Sequence, residues 1–245
     1  MDNQVEVKVT AAPEKKKTSG IVVGIILALI FALGFLLTFI GDIIDSKYYI
    51  DSFKWAFENG FDFFQLVWAV MDVVFVFLHS LFVVLLIAYT GLGAIRKGNK
   101  IKALFIAAFV IGLLCRLISA FMTGKNLISN FEWISQSILY SNDTTAMLYC
   151  VATVVFLFVE IFWVAACLFA IISAFIKKNK PSLILGIVAS AFIVLSGIAY
   201  AANRLIWIIS PNMSLSNWAF VYILAEMVVG LGTIGTLILY RPVKK

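Results

Sequence analysis

The chain has 245 residues, of which 63% are hydrophobic and 13% are charged, and its mean hydropathy is +1.05. Soluble globular proteins carry about 25% charged residues, so this composition indicates an integral membrane protein. No loop between the apolar stretches exceeds roughly two dozen residues. That leaves no room for a soluble catalytic, nucleotide-binding or DNA-binding domain.

The basic residues are distributed asymmetrically about the apolar stretches. Lys and Arg in short loops mark the cytoplasmic side of a membrane, so we expect both termini in the cytoplasm and the protein in the plasma membrane. The net charge of +6 therefore reports topology, and no nucleic acid is expected as a partner. Of the 19 Lys and Arg residues, 14 lie in segments 1–19, 96–102, 177–180 and 241–245.

Six apolar stretches predict six membrane-spanning helices in one all-α bundle. About 20 residues cross a bilayer core, so the second and fourth helices, at just over 30 residues each, must tilt or project from the membrane. The first stretch has no cleavage site of small residues behind it and is expected to be retained. The predicted spans are 20–40, 63–95, 103–122, 146–176, 182–208 and 218–240.

The segments outside the spans divide into cytoplasmic tails and outer loops. Residues 1–19 are polar and are expected to form a disordered cytoplasmic tail. Residues 20–240 form the transmembrane domain, and residues 241–245 form the cytoplasmic C-terminal tail. The outer loops are 42–62, 123–145 and 209–217.

The two longer outer loops each show the periodicity of an amphipathic helix. Apolar residues recur at helical spacing in 50–61 and in 127–138, with polar residues on the other faces. We expect both helices to lie at the outer membrane surface, with Trp55 or Trp133 at headgroup depth. They either cover an outward cavity or simply anchor the hairpins.

A weak internal repeat suggests how the spans are arranged. Shifting the chain by 81 positions places residues 70–97 on residues 151–178 with eight identities and no gap. The repeat implies three helical hairpins, each ending in a basic cytoplasmic turn. Parallel repeats of this kind occur in transporters.

Small residues predict close helix contacts in the first and last spans. Stripes of small residues let the backbones of membrane helices approach closely. We expect the striped face of the first helix to pack against another helix, within the bundle or in a dimer. The stripe consists of Gly20, Gly24, Ala28 and Ala32, and the last helix carries Gly230, Gly232 and Gly235.

Six ionisable residues lie inside the predicted spans. Such groups cost several kcal/mol in lipid and normally face a partner, the bundle interior or water. They are Asp72 and His79 in the second span, Arg116 in the third, Glu160 in the fourth, Arg204 in the fifth and Glu226 in the sixth.

Depth counted from the basic end of each helix separates these residues into two layers. His79, Arg116, Glu160 and Glu226 each lie 15 to 17 residues from a basic anchor, or roughly 23–26 Å at 1.5 Å per residue. We expect Arg116 to pair with one glutamate and the remaining carboxylate to share a hydrogen bond or proton with His79. In the outer layer, Asp72 and Arg204 each lie 24 residues from an anchor and are candidates for a second ion pair.

The inner layer has the chemistry of a proton- or cation-binding site, because imidazole changes its charge near neutral pH and a carboxylate without a partner can carry a proton. His79, Arg116, Glu160 and Glu226 are therefore the candidate substrate- or proton-binding residues. The alternative is that the same charges only fix the register of the helices.

Several classes of site are not expected. A single His and the absence of an HExxH motif or paired Cys spacing argue against a metal site. No Ser lies in a G-x-S-x-G motif. We expect no enzyme activity, no catalytic residues and no cofactor.

Two functions remain open. The first is a small secondary transporter, or the membrane subunit of a transport complex, that uses the inner polar layer. The second is a non-transporting assembly, immunity or regulatory partner whose buried charges are structural. The expected partners are the lipid bilayer and either further copies of the chain or a larger membrane complex.

Overall fold

The computed structural model describes residues 14–44, 46–58, 61, 63–96, 101–141, 144–209 and 219–242, and these form eight α-helices and no strand. The helices are α1 (Glu14–Ile44), α2 (Ser46–Glu58), α3 (Phe63–Ile95), α4 (Lys102–Ser129), α5 (Phe131–Ser141), α6 (Thr144–Phe175), α7 (Asn179–Ile209) and α8 (Ala219–Leu239). Helix α1 includes the last six residues of the predicted N-terminal tail. The predicted tail residues 1–13 and 243–245 lie outside the described residues.

Six of the described helices are long and apolar enough to cross a membrane: α1, α3, α4, α6, α7 and α8. This confirms the predicted all-α bundle of six spans. The other two, α2 and α5, are the short amphipathic helices expected between the spans. They begin and end within a few residues of the predicted segments.

The spanning helices form a ring in chain order. Each packs on the next, with α1 on α3, α3 on α4, α4 on α6, α6 on α7 and α7 on α8, and the contact of α8 with α1 closes the ring. The helix pairs expected to form hairpins, α1–α3, α4–α6 and α7–α8, are in contact, as is every other pair of neighbours in the ring. Helix α2 packs on α3 and helix α5 on α6 at the same end of the ring, which we call the helical-loop end. The opposite end, with Arg96, Lys102 and Arg241, is the basic end.

The closing contact of α1 with α8 depends on glycine. A Cβ added to Gly232 would lie 2.8 Å from the Phe31 ring, and one added to Gly235 would lie 2.7 Å from Leu27 Cδ2. On α1, a Cβ at Gly34 would lie 2.7 Å from Val229 Cγ2. The predicted close packing is confirmed for Gly232 and Gly235 of the last span, where no room is left for a larger residue. It is not confirmed for Gly230, because a Cβ added there would meet only Ile193 Cγ2, at 3.5 Å.

The predicted stripe on α1 is only partly correct. A Cβ at Gly24 would lie 2.7 Å from Tyr240 Oη and 3.0 Å from Ala94 Cβ, but one at Gly20 would meet nothing within 4 Å, and Ala32 is exposed. Four residues advance about 40° beyond a full helical turn, so a stripe at every fourth position winds out of the interface. The buried face instead alternates three- and four-residue steps, through Gly24, Leu27, Phe31, Gly34, Thr38 and Gly41.

Aromatic side chains fill the ring toward the basic end. Tyr89 Oη donates to the Tyr240 carbonyl at 2.6 Å, and the Tyr89 ring packs edge-on against Phe105 at 5.3 Å. Phe105 contacts Phe109 at 4.7 Å between ring centres, and Phe82 contacts Trp163 at 6.3 Å. All are at most 2% exposed. This core closes the centre of the ring between the basic end and the buried charged residues of the spans.

Candidate functional site

The four inner-layer residues meet inside the ring. Arg116 on α4 donates from Nη2 to Glu226 Oε1 at 2.6 Å and from Nη1 to Glu160 Oε1 at 3.4 Å. Arg116 is 6% exposed and Glu160 is fully buried. The guanidinium also lies over the Trp163 ring, 4.8 Å from its centre, an arrangement favourable for a desolvated cation. One arginine thus joins α4, α6 and α8.

His79 on α3 completes this group, which we call the charged cluster. Its Nε2 atom lies 4.0 Å from Glu226 Oε2 and makes no hydrogen bond to any described residue. The imidazole stacks on Phe75 with 18° between the ring planes and is 8% exposed. A separation of 4.0 Å is too long for a direct hydrogen bond, but a water molecule or a small side-chain movement can connect the two groups.

The predicted grouping is therefore found, but its pairing differs in one respect. We expected Arg116 to neutralise one glutamate and leave the other for His79. Instead Arg116 contacts both glutamates, and Glu226, which faces His79, also makes the shorter bond to the arginine. The reason is that the forked guanidinium presents donors to two carboxylates at once. Counting along the helices gives depth but does not give how many acids one arginine reaches.

The predicted Asp72–Arg204 ion pair is wrong. Arg204 Nη2 donates instead to Tyr200 Oη at 2.8 Å, and its guanidinium carbon lies 4.9 Å from the centre of that ring. Among the described residues, Asp72 forms no salt bridge. Asp72 lies on α3, which packs on α1 and α4, whereas α7 lies between α6 and α8. Equal depth places the two charges at one level but on separate parts of the ring.

A cavity of about 240 Å³ extends from the charged cluster toward the helical-loop end. All six spanning helices line it. Glu160, Glu226, Arg116 and His79 form its base, and Tyr49 of α2 lies at the opposite end, so the amphipathic helix borders it. The volume corresponds to about eight water molecules at about 30 Å³ each, which suits a small polar group.

Sequence reasoning missed several polar residues of this cavity. Near its outer end, Tyr222 Oη donates to Asp42 Oδ1 at 3.4 Å, and Thr38 lies one helical turn before Asp42. Tyr200 lies one turn before Arg204 and contacts it. The spacing of four residues in Thr38/Asp42 and Tyr200/Arg204 could have revealed these residues, since residues four apart share a helix face. Asp42 and Tyr49 were assigned to an outer loop, so they were not considered as part of a membrane site.

The charges of the cavity are close to balance. The lining holds three carboxyl groups, on Asp42, Glu160 and Glu226, and two guanidinium groups, on Arg116 and Arg204. With every carboxyl ionised and His79 neutral, the formal charges leave one excess negative charge. A single proton added to His79 or to a carboxylate brings the total to zero. Protonation and the binding of a charged solute therefore influence each other, because charges in a poorly solvated cavity interact strongly.

Comparison with known proteins does not supply a function. No family model, no curated protein and no solved structure matches this chain. Within the described residues, no group of three or more His, Cys, Asp or Glu side chains is placed to hold a metal ion. The charged cluster and its cavity are therefore the features of this protein that bear on its function.

Proposed function

We propose that this protein is a small secondary transporter, and not an enzyme, that couples the movement of a charged solute to protons. The observation that carries the proposal is that the charged cluster lies at the base of a cavity extending to one end of the bundle. The proposal includes the orientation expected from the basic residues, with both termini in the cytoplasm and the cavity facing outward across the plasma membrane.

The energetics of the cluster support a binding role. Ionisable groups within a membrane are costly and are found where they have partners or reach water. Arg116 and Glu160 have partners, but His79 Nε2 has none among the residues that the structure describes, and it faces Glu226 across a gap of 4.0 Å. A buried polar atom left without a hydrogen bond costs about 1–3 kcal/mol. A proton, water or solute group at this gap would recover that energy.

The closed part of the ring supports a carrier rather than a channel. Below the cluster, Phe82, Tyr89, Phe105 and Phe109 fill the centre and leave the cavity connected toward the helical-loop end. A carrier exposes its site to one side at a time, through movement of one part of a bundle against another. Three hairpins joined at short basic turns provide units that can move in this way.

Proteoliposomes containing an internal pH dye test the proposal. We would present alkyl sulfonates and alkyl trimethylammonium salts of short and long chain, which keep their charge at every pH. At least one class should drive a change of internal pH with the wild-type protein and not with empty liposomes. His79→Gln and Glu226→Gln should abolish the coupled proton movement. Ser190→Ala, which removes a hydroxyl bonded to its own helix at Gly186, is the matched control.

A non-transporting structural or regulatory partner is the second candidate function. It is favoured by one observation, the bridging of Arg116 to both Glu160 and Glu226, because such a bridge would hold three helices together without any solute. Under this alternative no solute class moves protons, and a stable larger complex is recovered when the protein is purified from its native membrane in mild detergent.

A further inference from the structure

A second cavity opens between α7 and α8 and meets the first. It has a volume of about 220 Å³ and is backed by Trp163 of α6. Tyr200 and Glu226 line both this crevice and the central cavity. The remaining lining is apolar, and its outer members Val194, Met227 and Leu231 are 50%, 57% and 64% exposed on the bundle surface. In a membrane that surface contacts lipid, so the crevice leads from the bilayer to the charged cluster.

Two glycines keep the crevice open. A Cβ added at Gly197 of α7 would meet nothing within 4 Å, and one added at Gly230 of α8 would meet only Ile193 Cγ2, at an ordinary 3.5 Å. Gly197 and Gly230 differ in this respect from Gly232 and Gly235 of α8, which allow the close contact of α8 with α1. The helices at this point are therefore not pressed together, and the crevice of about 220 Å³ lies between them.

Arg204 lines the central cavity and is a cation without an ion-pair partner among the described residues. Its Nη2 donates to Tyr200 Oη, but its Nε is buried and has no hydrogen-bond partner among the described residues. No described carboxylate lies within ion-pair distance of it. Side chains on a helix lean toward its N-terminus, so Arg204 extends over Tyr200, toward the place where the two cavities meet.

We propose that the ligand of this protein is a single-chain amphiphile with an anionic headgroup, taken from the bilayer. The headgroup binds in the central cavity, where Arg204 donates to it, and the alkyl chain passes Tyr200 and lies in the crevice between α7 and α8. The excess negative charge of the cavity opposes an anion until the His79–Glu226 pair gains a proton. Proton binding and headgroup binding therefore favour each other. The transport of this ligand rests on the proposed function, whereas its binding does not.

Photolabelling tests the binding site without requiring transport. The probe is decanesulfonate with a diazirine at its chain end, added to the full-length protein in lipid nanodiscs and mapped by mass spectrometry after illumination. We expect labelling concentrated in residues 193–201 of α7 and 223–234 of α8, stronger at pH 5 than at pH 8. Excess unlabelled decanesulfonate should compete, and excess methanesulfonate, a soluble anion with the same headgroup, should not.

Two variants and a control make the result decisive. Gly197→Leu fills the crevice and Arg204→Gln removes the guanidinium cation, and each should reduce labelling of these segments at least tenfold. Gly124→Leu is the matched control, because a Cβ at Gly124 also meets nothing within 4 Å, and it should label as the wild type does.

Even labelling over all lipid-facing helices would overturn the proposal, as would labelling unchanged in both Gly197→Leu and Arg204→Gln. Competition by methanesulfonate would assign the headgroup site to a soluble anion instead. Concentrated labelling without solute-driven proton movement would support this inference and contradict the proposed function. Proton movement driven by a short cation, with no concentrated labelling, would support the proposed function and contradict this inference.

Discussion

Arg116 and Glu226 lie on α4 and α8, which are not neighbours in the ring, yet Arg116 Nη2 and Glu226 Oε1 are 2.6 Å apart. The bond crosses the interior of the bundle and links the α4–α6 hairpin to the α7–α8 hairpin. Because Glu226 also faces His79 on α3, a change in the charge of Glu226 alters the interactions of α8 with both α3 and α4.

Removal of Arg116 alone should destabilise the protein more than its removal together with both acids. Arg116→Met leaves Glu160 and Glu226 as buried carboxylates without a cation, and breaking a buried pair in this way costs about 3–5 kcal/mol. The triple variant Arg116→Met, Glu160→Gln, Glu226→Gln should recover much of that loss. Thermal unfolding in detergent measures the difference. Arg96→Met at the exposed basic end is the control, and a triple variant less stable than the single one would contradict the bridge.

His79 should control the response to pH. Imidazole is the side chain whose ordinary charge change lies nearest neutral pH. The Nε2 atom of His79 lies 4.0 Å from Glu226 Oε2 and has no hydrogen-bond partner among the described residues. His79→Gln should leave the thermal unfolding temperature within a few degrees of wild type and should flatten the pH profile of decanesulfonate labelling between pH 5 and 8. If the pH profile of labelling in His79→Gln kept its wild-type shape, the group that gains the proton would be a carboxylate and not His79.

Gly24 of α1 should tolerate no enlargement, because α1 there meets Ala94 of α3 and Tyr240 just beyond α8. A Cβ there would lie 2.7 Å from Tyr240 Oη and 3.0 Å from Ala94 Cβ, so Gly24→Ile should lower stability in detergent by about 1–3 kcal/mol through overpacking. Ala32→Ile, at an exposed position of the same helix, should have little effect. Equal effects of the two substitutions would show that α1 uses a different face in the membrane.

The topology can be tested with a matched pair of lysines. Lys54 on α2 and Lys178 between α6 and α7 are both exposed, at opposite ends of the bundle. In a Cys150→Ala background, which removes the half-buried thiol on α6, an impermeant maleimide added to intact cells should modify Lys54→Cys and not Lys178→Cys. Modification of position 178 alone would mean that the termini lie outside and the cavity faces the cytoplasm.

The sequence was sufficient for the features that depend on position along the membrane normal. Apolar runs gave the six spans, because a bilayer requires about 20 apolar residues per crossing. Counting from basic anchors placed His79, Arg116, Glu160 and Glu226 at one depth, and their side chains do meet, since a helix rises by a constant 1.5 Å per residue. The amphipathic helices α2 and α5 followed from periodicity alone.

Only the tertiary structure decided how each helix is rotated and which helices are neighbours. Asp72 and Arg204 share a depth but do not pair, and Ala32 lies outside the interface that Gly24 occupies. The binding of both glutamates by one arginine, the space left at Gly197 and the meeting of the two cavities at Tyr200 also depend on rotation. The bilayer fixes the depth of each residue through hydrophobicity. The rotation of each helix is fixed by side-chain packing against helices that are distant in sequence, and the sequence pattern does not show which helices those are.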